Sequence, residues 1–523
     1  MAICRHADTA APAMTALLNI DAGGRVAGPE LPPARLFVDG RWRDGAGLDE
    51  IPNPATGALL GKAPIGSEAD AADAVAAARR AFDDGPWPRL APKERSARLA
   101  AFADVLQRSA ANLVSLVVAE AGATVAAALS HQITLPLQHL DWWVEQAGRD
   151  RTAALAPKVA ARSDGTSWLG GYVVRHPPVG VVAAVTPFNF PFFLNLWKVG
   201  PALAAGNTVV IKPSPFTPFS ALVLAVAAEE AELPAGVLNV VTGGPAVGRR
   251  LTTDPAVDMV TFTGSDVVGA AIMGQASPTL KRVLLELGGK SALIVRADAD
   301  LDLAAATGAH HLTFQAGQGC ALCTRHLVHA SVVDAYTEKL ADRLAAVTVG
   351  DPADPAVGMG PLIRAAAVER VERYVDAARD RGAELVTGGR RPQGGGGSGS
   401  GSGGWFYEPT VLAGVDNSWP VAREEIFGPV GVVIRVVDDD EAVRVANDSP
   451  YGLSGAVFSR DVGAAYEVAA RLRTGEVNLN GGAGVMSAEA PFGGFKRSGL
   501  GRELGEAGFL EYCQTQTIKF HAG

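Results

Sequence analysis

The sequence predicts an α/β protein with mainly parallel sheets, divided into more than one domain. Short runs rich in β-branched residues alternate with helical stretches, the rhythm of βαβ units. Those runs are apolar throughout, as in sheets covered on both faces. At 523 residues the chain is too long for one core and suits two or three domains.

Taken in order, residues 1–30 are Ala-rich and unpatterned, so a loose extension is expected there, with Met14 as an alternative start. They lack the apolar core of a signal peptide. Asp70–Asp84 has helical spacing and strong helix formers, and Lys93–Ala110 reads as a second amphipathic helix. Gly180–Phe188 and Asn207–Ser214 are strand candidates, followed by a helix beginning at Phe219. Val237–Gly243 and Val257–Ser265 extend the series. A second series begins after Gly289, with "SALIV", "HLVHASV", "VGVVIRVV" and "GAVFS" as its strands. The tract Gly394–Gly404 is flexible in composition and reads as a surface-loop insertion, because strand-like "WFYEPTVL" resumes at once. The most apolar stretch, Val179–Ile211, is interrupted by Pro187, Asn189, Pro191, Lys198, Pro201 and Asn207, so no membrane span is expected.

Composition narrows the function. Hydrophobic residues make up 48% and charged residues 19%, with a net charge of −9 and no basic stripe, so nucleic acid is not an expected partner. Four cysteines in so long a chain do not form a disulfide framework, and a reducing cytoplasm is the expected location.

The stretch "LTFQAGQGCALCTR", Leu312–Arg325, carries the chemistry. Cys320, Cys323, His326 and His329 are evenly spaced. A helix over that span is ~13.5 Å long, too long for one tetrahedral zinc with ligands within ~2.3 Å. A redox CxxC pair normally opens a helix in a small thioredoxin-like unit. The reading that fits best is one nucleophilic thiol, Cys320. Gly317 and Gly319 let the backbone approach a ligand and leave N–H donors unshielded. Cys323, Cys4 and Cys513 then read as small inert neighbours.

At this point the residues resemble a known family. "NPATG", "PVGVVAAVTPFNFP", "LAAGNTVVIKPS", "FTGS", "LELGGK", "GQGC", "EEIFGPV" and "PFGGFKRSGLGRELG" occur in the order seen in the aldehyde dehydrogenase superfamily, from roughly Leu36 to Phe520. The resemblance implies two Rossmann-like parallel-sheet domains, one for the cofactor and one catalytic, plus a small β oligomerisation arm. It places the dinucleotide-binding domain at 31–157 and 179–288, the catalytic domain at 289–507 and the arm at 158–178 and 508–523. Arg162–His176 would supply a hairpin and Thr515–Phe520 a last strand, implying a homodimer or homotetramer.

Cys320 matches the family nucleophile and Asn189 its oxyanion donor, beside the Cys320 backbone N–H. Glu286 matches the base that activates the deacylating water, which favours release of a free carboxylic acid over a coenzyme-A thioester. Coenzyme-A acylation and dicarboxylic semialdehyde oxidation remain the alternatives. The implied cofactor is NAD, around Thr186, Pro187, Phe188, Lys212, Ser214, Phe262, Gly264, Ser265, Val268, Leu287, Glu425 and Phe427. Gly264 and Ser265 would open a helix whose N–H groups meet the pyrophosphate. Many NAD-preferring members carry Glu where this chain has Pro215; NAD remains the expected cofactor, and NADP use is left open. Phe190, Trp197, Phe314 and Phe492 fall at tunnel positions, with Met486 near the mouth, implying apolar aliphatic or aromatic aldehydes.

Overall fold

A strand buried on both faces must be apolar at every position, and the central runs of this chain meet that condition. In the computed structural model, which describes residues 18–392, 403–484 and 486–522, they form two sheets. The first has eight strands, in the order Gly499–Leu500, Arg282–Glu286, Met259–Thr263, Val181–Val185, Thr208–Lys212, Leu238–Val240, Leu36–Val38 and Arg41–Arg43. The strands from Arg282–Glu286 to Leu238–Val240 are parallel. Alternate residues serve two cores. Val181, Ala183, Val210, Val260 and Leu285 pack with Ala71, Ala74, Val75 and Ala78 of the helix Glu68–Asp83. Val182, Ala184, Val209 and Ile211 pack with the helices Pro191–Ala205 and Phe219–Glu230.

The second sheet has seven strands, in the order Glu384–Thr387, Thr410–Ala413, Val430–Val436, Cys323–His329, Ser291–Val295, Gly455–Phe458 and Asn478–Leu479. All pairings are parallel except that of Glu384–Thr387 with Thr410–Ala413. A separate antiparallel sheet joins Gln516–Ala522, Ser167–Arg175 and Ala153–Ala161. The α/β class with two parallel sheets and a β arm is as expected.

Several boundaries differ from the expectation. Residues 18–30 are not loose: Val26 is buried, its N–H donates to the Ala353 carbonyl at 2.9 Å, and Asn112 bonds both backbone groups of Glu30. Residues 1–17, including Met14, lie outside the described residues. The first arm strand begins at Ala153, so a boundary at 158 cuts it. Gly499–Leu500, within 289–507, returns to the first sheet, where Gly499 pairs with Glu286.

Residues 394–402 of the Gly/Ser tract also lie outside the described residues, but its flanking strands Glu384–Thr387 and Thr410–Ala413 are neighbours in one sheet. Trp405 does not resume a strand at once. Its backbone is engaged by Pro54 and Leu362, and Pro409 has no N–H, so pairing begins at Thr410. Val179–Ile211 resolves into strand, helix and strand, and among the described residues no single helix is long and apolar enough to cross a membrane.

Candidate active site

Parallel α/β sheets bind ligands outside the carboxyl ends of their strands. Four neighbouring strands of the first sheet end at one edge, and the loops beyond them carry Thr186 and Pro187, Ser214 and Pro215, Gly264 and Ser265, and Leu287. Lys212 and Glu286 are themselves last strand residues. Asn189 lies between the strand Val181–Val185 and the helix Pro191–Ala205. It is buried, and its side-chain amide donates to the Gln318 carbonyl at 2.8 Å, two residues before Cys320. The first sheet thus reaches directly into the cysteine loop.

That loop is held in an unusual backbone. Gln315 and Ala316 have φ of 50° and 53°, followed by Gly317 at 70°. Such conformations cost a non-glycine residue ~1–3 kcal/mol each and persist only where the surroundings impose them. Here two glutamines impose them. The Gln315 side chain donates to the Ala121 carbonyl at 2.9 Å and accepts from Gln132 at 3.0 Å. The Gln318 side chain donates to the Gln315 carbonyl and accepts the Ile363 N–H, each at 3.0 Å. A Cβ at Gly317 would run into the Gly428 carbonyl, so glycine is required by contact as well as by φ. The polar "GQGC" segment is therefore largely buried and internally bonded, not an open patch.

Cys320 is partly exposed, and its carbonyl packs against Gly289. Burial pushes its thiol above the usual range, and the carboxylates of Glu425 and Glu286 push it further. The backbone N–H groups of Cys320 and Ala321 act in the opposite sense, which places them close to the sulfur. The positive surroundings expected of a thiolate are replaced by two carboxylates.

Cys323 opens the strand Cys323–His329 instead of following a helical stripe. A register shift opposite Ser291 and Ala292 interrupts the strand there, and Cys323 and His326 both meet the core around Tyr336. His311 accepts the Cys323 N–H at 2.7 Å, and His326 bonds the Tyr336 hydroxyl at 2.8 Å.

Glu286 is 2% exposed, and among the described residues neither carboxylate oxygen has a hydrogen-bond partner. Burial holds its carboxyl well above the ordinary range, Glu503 adds to this, and Lys198 and Arg502 oppose it. Lys198 and Glu503 form a buried ion pair at 2.7 Å, and the Lys198 ammonium also donates to the Thr261 hydroxyl at 3.1 Å. Gly493 lies against Glu286, where a Cβ would come within 2.6 Å of a carboxylate oxygen.

The cofactor candidates are distributed as follows. Lys212 is buried, donates to the Pro213 carbonyl at 2.8 Å and is lowered to about 8 by burial. The Thr186 hydroxyl is bonded to Asn195 at 2.6 Å, and the Ser214 hydroxyl accepts the Phe216 N–H at 3.2 Å. Phe262 is buried beneath Gly264, and Leu287 packs against Gly269. Ser265 caps the helix Asp266–Ala276 by accepting the Val268 N–H at 3.4 Å, and the Val268 side chain is exposed. That helix end is also occupied by Asp266, paired with Arg497 at 2.7 Å, so its N–H groups are less free for pyrophosphate than expected. Glu425 accepts the Gly289 N–H at 2.9 Å, lies against Gly288, and is raised to about 7 by burial. Phe427 and Phe188 meet edge to face at 5.7 Å.

The proposed tunnel residues are joined by aromatic contacts. Phe314 stacks on Phe190 at 5.7 Å, Phe190 meets Phe193 at 6.3 Å, Phe193 meets Trp197 at 4.4 Å, and Trp197 meets Phe492 at 5.4 Å. Met486 is reached through His139, which bonds its carbonyl.

With this geometry in place, comparison with known proteins is informative. The model of the Aldehyde dehydrogenase family matches residues 42–518. This chain belongs to that family. It is 40% identical to geranial dehydrogenase of Castellaniella defragrans, over 92% of this chain and 98% of that protein. Betaine aldehyde dehydrogenase of Staphylococcus aureus, solved with NAD+, superposes with a TM-score of 0.88 at 34% identity, covering 93% of this chain and 94% of that one. A mutant aldehyde dehydrogenase of Pseudomonas syringae, solved with NAD+ and octanal, gives a TM-score of 0.86 at 36% identity, covering 94% and 98%. The chain is an NAD(P)-dependent aldehyde dehydrogenase, an oxidoreductase that converts aldehyde to carboxylic acid.

Reading the sequence alone missed His139, Gln315, Gln318, Lys198 and Glu503 as parts of this region. Lys198 was visible only as a charge within an apolar run, a signal of burial with a partner far along the chain.

Proposed function

We propose that Cys320 attacks the aldehyde carbon and that Asn189 and the Cys320 N–H hold the resulting oxyanion. The buried Glu286 carboxylate supports this reading most strongly, because two unpartnered oxygens near the thiol can take a proton from the water that attacks the thioester. The strand-end residues Thr186, Lys212, Gly264 and Leu287, with Glu425 opposite them, suit a dinucleotide. The cradle at Gly288, where a Cβ would meet a Glu425 oxygen at 2.5 Å, has no room for a side chain. The bound nicotinamide supplies a hydride acceptor. Asn189 and the loop amides orient the thiohemiacetal for that loss, and Glu286 then delivers water to the thioester, freeing the acid. Pro215 puts no carboxylate where a 2′-phosphate would lie, so both NAD+ and NADP+ are accepted.

The substrates are apolar aliphatic or aromatic aldehydes, matched to the aromatic chain Phe314–Phe190–Phe193–Trp197–Phe492. The arm, with Leu155, Val159, Leu169, Ile518 and Phe520 exposed, pairs copies of this chain into a homodimer or homotetramer. The location is the cytoplasm.

Single-turnover kinetics of Glu286→Gln test the scheme. One equivalent of reduced nicotinamide per site should form, followed by a steady rate ~10²–10⁴-fold lower. An unchanged steady rate would remove Glu286 from the reaction. Thioester product forming only with coenzyme A would replace hydrolysis by acyl transfer.

A further inference from the structure

The helix Leu135–Ala147 packs against Pro191–Ala205 and brings one histidine to the aromatic wall. His139 is 3% exposed. The Trp197 indole N–H donates to His139 Nδ1 at 3.0 Å, and His139 Nε2 lies 3.0 Å from the Met486 carbonyl oxygen. An indole nitrogen only donates and a carbonyl only accepts. These partners assign a neutral ring with its proton on Nε2, and both nitrogens are engaged. The ring also stacks on Trp197, with centroids 5.9 Å apart and an interplanar angle of 29°, and meets Phe193 at 6.2 Å. Trp197 in turn contacts Phe193 and Phe492.

Among the described residues the Met486 main chain has no hydrogen bond besides the one to His139, while its side chain packs against the core around Trp197. It lies between the strand Asn478–Leu479 and the short turn of helix Lys496–Ser498, in a stretch with no helix or strand among its described residues. A loop without regular pairing takes its position from the few bonds that tie it down. At Met486 that bond comes from His139.

We propose that His139 is a positioning residue that sets the bore of the aldehyde tunnel at its mouth. It ties the Trp197 indole to the main chain at Met486, so that aldehydes with a long apolar tail are bound in preference to short ones. This rests on the proposed substrate class and on Trp197 and Met486 standing at the tunnel positions that the family resemblance implies. On this proposal acetaldehyde stops short of the tie and an eight-carbon chain reaches it.

The test uses the full-length enzyme with saturating NAD+. kcat and KM are measured for acetaldehyde and octanal in the wild type, His139→Phe and His139→Gln. Phenylalanine keeps a ring against Trp197 but makes neither hydrogen bond; glutamine offers one acceptor and one donor. The expected result for His139→Phe is an octanal KM raised about tenfold, with the acetaldehyde KM within about twofold of wild type. His139→Gln should recover part of the octanal affinity. His139→Leu carries the same expectation if the phenylalanine variant does not fold. Equal loss for both aldehydes, or a fall in kcat at unchanged KM, would make His139 an ordinary core residue and overturn the inference. A wild type that oxidises neither aldehyde would instead count against the proposed substrate class.

Discussion

Glu503→Gln isolates the charge that most raises Glu286. In the structure Glu503 is 1% exposed, one oxygen meets the Lys198 ammonium at 2.7 Å, and the other has no partner. Gln keeps the shape and an acceptor for Lys198 but removes the negative charge. Breaking a buried ion pair costs ~3–5 kcal/mol; the retained hydrogen bond to Lys198 puts this variant at the lower end. A melting temperature a few degrees lower is expected, since the shift per kcal/mol shrinks as chains lengthen. The larger consequence concerns Glu286. After burial, repulsion from Glu503 is the largest influence holding its carboxyl above the normal range, and Lys198 opposes it. Without Glu503, a charged Lys198 lowers Glu286 unopposed. Removing Glu503 therefore shifts Glu286 toward ordinary carboxylate behaviour. In the proposed scheme, hydrolysis of the thioester follows the ionised fraction of Glu286 and so rises with pH. The rising limb should therefore move to lower pH once this like charge is removed. The assay is the hydrolysis rate of the isolated acyl-enzyme across pH. A limb that stays in place, or moves to higher pH, would refute the coupling of Glu503 to the base.

Other perturbations probe separate parts of the argument. Gly317→Ala places a Cβ against the Gly428 carbonyl at φ 70°, so kcat should fall more than about tenfold with cofactor binding retained, measured by turnover and by titration of the reduced nicotinamide. Pro215→Glu puts a carboxylate near the 2′ position and should lower the NADP+ to NAD+ ratio of kcat/KM. Replacing Val159 and Phe520, 72% and 56% exposed, by Ser should shift light scattering toward smaller species while thermal stability at high protein concentration changes little. The ligand-free Cys320 thiol is pushed up by burial and two carboxylates, so alkylation by iodoacetamide should be slower than for a free cysteine and should accelerate as pH rises.

What the sequence discloses and what it hides divides on physical lines. The strands of both sheets were legible because parallel sheets demand apolar residues at successive positions, as in Val181–Val185 and Val430–Val436. The reactive region was legible through glycine and polar residues placed where a core would not tolerate them. The partners of those residues were not legible. Lys198 and Glu503 lie far apart in sequence, as do Gln132 and Gln315, and no local pattern relates them. The even spacing of Cys323 and His326 marks no shared site, because the segment is a strand in which His326 is engaged by Tyr336. His139 sits in an amphipathic helix with nothing in its neighbourhood to distinguish it from an ordinary core histidine.

Burial alone does not identify the working groups. Arg325 is as deeply buried as Glu286, yet its donors reach the carbonyls of Lys290, Val445 and Ala446 and the Asn417 side chain. Such a cation is fixed and has no reason to change state. Glu286 has no bond to either oxygen and a second carboxylate close by. A buried charge without partners is costly, and here Gly493 and the paired Gly499 enclose it while groups from both sheets shape the loops around it. Asn189 from the first reaches the Gln318 carbonyl, and Glu425 beside the second accepts the Gly289 N–H. Neither sheet alone would assemble the thiol, the base and the amides. The unsatisfied carboxylate is therefore the part of this site whose protonation is free to follow the chemistry, and the fully bonded Arg325 and glutamines are the parts that keep it in place.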